Sequence, residues 1–147
     1  MLKFKIYNPN TKMSTLEKLN VTEFLFKHLE QYGDEKLDIE KAVQYALKET
    51  PSFGGFVLEG YDIDENVVGT VVVNKTGMSG YIPENILVYI AVDNSQRGKG
   101  YGKDLMNKAV ELCEGDVALH VEKDNPARFL YEKVGFTNPY LEMRLKK

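Results

Sequence analysis

Between Arg97 and Lys103 the chain reads Arg97-Gly98-Lys99-Gly100-Tyr101-Gly102-Lys103. Glycines at alternate positions leave backbone N–H groups uncovered, and the segment opens an amphipathic helix. A helix N-terminus carries about half a positive charge and unpaired donors, so it attracts phosphate. Arg97, Lys99 and Lys103 add full charges around it. The chemistry this spacing suits is the binding of a pyrophosphate. The same residues would also make a plain glycine-rich turn with lysines for solubility.

Two phosphate patterns fail here. The dinucleotide pattern G-x-G-x-x-G needs a third glycine where Lys103 or Leu105 stands, and in the P-loop pattern the residue after Gly102-Lys103 would be Ser or Thr, not Asp104. What fits is [Q/R]-x-x-G-x-G, read as Arg97, Gly100 and Gly102. This resembles the coenzyme A loop of the GNAT N-acetyltransferase superfamily. Downstream, Asn125-Pro126-Ala127-Arg128-Phe129-Leu130-Tyr131-Glu132-Lys133-Val134-Gly135-Phe136 is similar to that superfamily's second signature. Val92, five residues before Arg97, has its spacing between central strand and phosphate loop. The resemblance spans residues 86–136, and the elements before them suit it. Asn94 stands where the family often has proline, and the chain after Phe136 is short, so the usual final pair of strands must be abbreviated.

The resemblance implies transfer of an acetyl group from acetyl-CoA to a primary amine, by direct attack in a ternary complex. It implies that backbone groups of Ile90, Ala91 and Val92 pair with the pantetheine arm as an added strand would. An N–H from Val92 would face the developing oxyanion. It also implies that Arg97, Gly98, Lys99, Gly100, Tyr101, Gly102 and Lys103 hold the pyrophosphate. Asn125 would bind the pantetheine arm or orient substrate; read locally, it is equally a helix cap before Pro126. Tyr131 would donate to the thioester sulfur, although a tyrosine here could merely pack the helix. Because a thiol titrates near pKa 8.5 and a phenol near 10, full proton transfer is uphill by roughly 2 kcal/mol.

The attacking amine must also lose a proton, since an alkyl ammonium with pKa near 10.4 is almost wholly charged at neutral pH. His120, expected on a strand, and Glu84, just before the central strand, are the candidate bases, with Tyr89 and Glu122 weaker ones. His120 could equally be structural. His28 is expected to line the acceptor cleft or face solvent. Cys113 has no activating base in sequence and reads as packing. A reading of a different class is an acyl-CoA-binding sensor or interaction module, in which His120 and Tyr131 would be idle.

These groups need a scaffold. The chain has 147 residues, 43% hydrophobic and 28% charged, which suits one globular domain over residues 1–147. Its net charge of −3 argues against wholesale nucleic-acid binding. One cysteine allows no intrachain disulfide or four-cysteine zinc site, and no metal is expected. With no signal-peptide or membrane-spanning pattern, a cytoplasmic monomer or homodimer is expected.

Leu2, Phe4 and Ile6 alternate as a strand. Asn20 is expected to cap a first helix that Gly33 ends, and Asp38 a second that Pro51 stops. Phe53–Tyr61 and Val67–Asn74 flank a turn as a hairpin. Ile86–Val92 is apolar throughout, as a strand buried on both faces must be. A helix from about Gly100 to Glu114, a strand from Val117 to Glu122, a helix from Pro126 to Val134 and a last strand from Tyr140 to Leu145 complete the order. The fold class is α/β (α+β). The strand-helix-strand crossover makes part of the sheet parallel, and the resemblance implies a mixed, mostly antiparallel sheet with about four helices around it.

Overall fold

Alternating residues begin the chain as strand β1 (Lys3–Tyr7) in the computed structural model, which describes residues 1–147. Helix α1 (Thr15–Leu29) follows. The Ser14 hydroxyl accepts from the Glu17 N–H at 3.1 Å, and the Glu17 carboxylate accepts from the Ser14 N–H at 2.8 Å. This reciprocal box satisfies donors that a helix start leaves bare, so α1 begins before Asn20, which lies exposed inside it rather than capping it. A 3-10 turn (Glu30–Tyr32) leads to α2 (Lys36–Ala46). Asp38 does not cap α2 either. It sits in the first turn, where its charge suits the helix dipole.

Strands β2 (Gly55–Tyr61), β3 (Val67–Lys75) and β4 (Asn85–Val92) form an antiparallel meander with β1. Helix α3 (Tyr101–Leu112) then crosses to β5 (Val117–Leu119), which lies parallel to β4. Helix α4 (Arg128–Val134) is the last regular element. The sheet order is β1-β2-β3-β4-β5, the mixed α/β class that the crossover predicts.

The sheet separates two apolar clusters. Val21, Leu25, Ile39 and Val43 of α1 and α2 pack on Tyr7, Val57, Val72, Tyr89 and Ala91. Leu105, Met106 and Ala109 of α3 and Tyr131 of α4 pack on Leu58, Val71, Val73 and Leu87. Strand β4 serves both clusters, as its continuous apolar run requires. It does so through a bulge: Leu87 pairs with Val73 and Tyr89 with Val72, leaving Val88 over. Val88 and Tyr89 therefore both meet the α1–α2 side, while Ile90 and Val92 meet the α3 side.

Two strand expectations need correction. β5 ends at Leu119, not Glu122. Tyr140–Leu145 is not a strand: Leu141, Met143 and Leu145 are 83%, 91% and 85% exposed. Alternation suits these residues to a half-buried strand, but a strand needs a ladder partner, and β5 offers an edge of three residues.

Candidate functional site

The β4–β5 ladder joins Asn85–Leu87 to Val117–Leu119 and goes no further. Beyond Leu87 the edge of β4 is open. Register decides which groups face that opening. The Asp93 N–H donates to the Val68 carbonyl at 2.8 Å, with Val92 opposite Gly69. Val92 is thus in a non-hydrogen-bonded pair, and its own N–H and C=O turn away from β3, as do those of Ile90 opposite Val71. Ala91 alternates with them and turns its backbone into the β3 ladder. Of the three residues expected to pair with a pantetheine arm, Ile90 and Val92 turn backbone groups to the open edge and Ala91 does not.

The glycine loop lies at the end of this open edge. Gly98 and Gly100 both have φ +82°, a left-handed backbone that favours glycine. Gly100 is the N-cap of α3, and no side chain caps it. A Cβ at Gly98 or Gly100 would meet nothing within 4 Å, so this end of α3 faces open space. The amides of Tyr101, Gly102 and Lys103 are the orphan donors of the first turn. Gly102 is different: a Cβ there would stand 3.2 Å from Leu130 Cδ2 and 3.7 Å from Val92 Cγ2, so it lets α3 seat closely on α4 and β4. Tyr101 packs against the α3-side cluster. Lys103 is exposed.

The other two cations have protein partners. Arg97 donates to Glu30 Oε1 at 2.9 Å and to the His28 carbonyl at 2.8 Å, and Lys99 donates to Gln96 at 2.6 Å. His28 is 6% exposed, against the expectation that it lines a cleft or faces solvent. Its Nδ1 accepts from the Asn94 N–H at 3.0 Å, and its ring packs on Phe24. Arg97 and His28 together brace the end of α1 to the loop that follows β4.

Tyr131 stands on α4 beside the opening, 8% exposed, edge-on to Phe136. Burial alone pushes its phenol up to about 12. Asn125 does not cap α4, whose N-cap is Ala127 with no side-chain bond; its Oδ1 accepts from the Ala127 N–H at 2.9 Å and closes the turn that leads into the helix. His120 follows the last residue of β5 rather than lying in it; its side chain is 66% exposed and 4.0 Å from Glu142. It directly follows Leu119, which pairs with Leu87 as the last step of the ladder, so it lies where the opening begins. Glu84 is not brought to this place. It precedes β4, at the end of the strand away from the loop, and accepts from the Asp116 N–H at 2.8 Å. That bond first, with other backbone donors, holds its carboxyl below the usual range, which weakens it as a base. Cys113 is half-buried, and burial pushes its thiol up to about 11, consistent with packing.

Read from sequence, Tyr89 is a weaker candidate base and Asp34 one of several acids that could attract a cationic amine or simply be solvated; the sequence does not pair them. The Tyr89 hydroxyl donates to Asp34 Oδ2 at 2.6 Å. The signal available was a lone tyrosine in an otherwise aliphatic strand.

Comparisons with known proteins bear on the fold and the family. The chain is similar in fold to a ribosomal-protein-alanine N-acetyltransferase from Brucella melitensis, with 17% identity, TM-score 0.65, and coverage of 100% of this chain and 99% of the other. An aminoglycoside acetyltransferase from an uncultured soil metagenomic sample is 17% identical, with TM-score 0.64 and coverage of 100% and 99%. A chain of the NatC complex, solved with Gag peptide and CoA, is 19% identical, with TM-score 0.67 and coverage of 92% and 84%. No curated protein matches the sequence. The family model described as the acetyltransferase (GNAT) family matches residues 14–136, most of the chain, and the protein belongs to that family.

Proposed function

We propose that the protein moves an acetyl group from acetyl-CoA to a primary amine, by direct attack within a ternary complex. The observation that carries this is the open edge of β4. It presents backbone groups of Ile90 and Val92 at the place where the uncapped start of α3 presents amides to open space. One extended molecule ending in a pyrophosphate would use both.

Acetyl-CoA supplies an activated acyl carbon and a thiol leaving group. The chain supplies position and charge. Amides from Gly98 to Lys103, with Lys103 at the surface, would hold the pyrophosphate. Arg97 keeps the loop in place through its brace to α1. Ile90 and Val92 would pair with the pantetheine arm, and the Val92 N–H would face the oxygen where negative charge gathers. Asn125 fixes the start of the segment that carries Tyr131. Burial raises the phenol and would raise a thiol beside it as well, so the difference of their ordinary values stands, and full transfer of the proton to the thiolate is uphill by roughly 2 kcal/mol. Tyr131 therefore serves as a hydrogen-bond donor to sulfur and keeps its own proton. His120, where the opening begins, would receive the proton the amine gives up.

Purified protein with acetyl-CoA and a panel of amines, amino acids and peptides provides the test. Amine-dependent thiol release is expected. CoA that protects against thermal unfolding without any thiol release would replace catalysis with sensing, and no protection would remove the CoA assignment.

A further inference from the structure

The segment between α1 and α2 crosses the β4–β5 opening on the α1–α2 side. One end is held to β4 by the Tyr89–Asp34 bond. The other is held past β5, where the Tyr32 hydroxyl donates to the Asp124 carbonyl at 3.3 Å. Residues 32–34 thus form a strap over the mouth by which an acceptor would reach the open edge. Asp34 is exposed, yet its carboxylate is aimed by a buried phenol on the strand that borders the opening. A carboxylate has about four acceptor positions, and Tyr89 takes one. Neighbouring acids are engaged differently: Glu30 pairs with Arg97, and Asp38 lies 3.9 Å from Lys41.

The reacting nitrogen attacks beside the Val92 N–H, and a carboxylate held at the Tyr89 hydroxyl stands too far along the strand to serve that atom. Tyr89 precedes Val92 by three residues, about 10 Å along the strand, and the Tyr89 side chain carries Asp34 off the sheet on the α1–α2 side, so the carboxylate stands farther than that from the Val92 N–H. We propose that Asp34, positioned by Tyr89, binds a second cationic group on the acceptor. The acceptor is then a primary amine that carries another positive charge at least about one extended six-carbon chain away. This rests on the amine-acetylation reading above and names its substrate class.

The test is calorimetric titration of the CoA-saturated protein with hexamethylenediamine and with n-hexylamine. Wild type should bind the diamine at least tenfold more tightly. Asp34→Asn should abolish the preference and leave CoA affinity unchanged, and Tyr89→Phe should reduce the preference a few-fold by releasing the carboxylate. A purely structural Tyr89–Asp34 contact would alter both amines alike. No preference in wild type, including no binding of either amine, overturns the inference, as does a preference that survives in Asp34→Asn. The CoA titration that precedes each run reports separately on the acetyl-transfer reading, which fails if CoA does not bind.

Discussion

In the proposed reaction Tyr131 donates to the leaving sulfur and makes no other contact with the cofactor. Tyr131→Phe should therefore lower kcat on the order of 10²-fold, with CoA affinity unchanged, in steady-state kinetics paired with calorimetry. An unaltered kcat would remove it from the mechanism. Gly100 tests the loop. A side chain there meets no neighbour within the protein, so any clash would be with the coenzyme. The penalty comes from φ +82°, roughly 1–2 kcal/mol for an L residue, and from charge. Gly100→Asp should weaken CoA binding by more than tenfold and Gly100→Ala by less, the difference measuring the charge contribution. Equal affinities in the two variants would contradict anion binding at the loop. These residues could be singled out in sequence because their motifs are local. The contacts of His28 and Asp34 could not, because their partners Asn94 and Tyr89 lie 66 and 55 residues away.

Each element owes its position to a few local decisions. The Ser14–Glu17 box starts α1, and Tyr7 adds a hydroxyl to Glu17 at 2.8 Å. Ser14→Ala should cost about 1 kcal/mol in denaturant unfolding, with the m-value unchanged. A change near zero would place the control of α1 in its packing. The box was written in the sequence, but Asn20 with Glu23 offered a second, similar start, and only packing of Val21, Thr22 and Leu25 on the sheet chooses between them. Likewise the alternation of Leu141, Met143 and Leu145 reads as a strand, and the short β5 edge gives it no ladder. The bulge at Val88 had no sequence signal. It puts Val88 and Tyr89 on the same face and shifts the alternation of the residues after them.

At the scale of the whole molecule, one buried acid sets a pH dependence. Glu59 on β2 is 6% exposed, across from Thr70, whose hydroxyl is buried without a partner. Burial is the main reason its carboxyl lies above the usual range, with the Tyr61 hydroxyl pulling the other way. An acid whose pKa is raised on folding favours the native state when protonated. That contribution is present below the ordinary glutamate pKa of 4.5 and is lost as pH rises through the raised value. Glu17 acts oppositely. The Ser14 amide first, then the Tyr7 hydroxyl, lower it to about 2, so its contribution is present above 4.5 and is lost as pH falls toward 2. Glu59→Gln keeps an acceptor for Tyr61 and removes the buried charge. It should raise Tm at neutral pH and leave Tm at pH 4 nearly unchanged. A fall in Tm at neutral pH would show that the ionised form is held by partners rather than opposed by burial.

The central claim is that a single ligand runs along the open edge of β4 and ends on the amides at the start of α3. Backbone amide shifts of isotopically labelled protein titrated with CoA test this most directly. The expected result is large, saturable shifts at Ile90, Val92 and Gly98 through Lys103, with Ala91, bonded into the β3 ladder, moving little. Saturation that leaves the amides from Gly98 to Lys103 unmoved, or that shifts residues 90–92 uniformly, would contradict it.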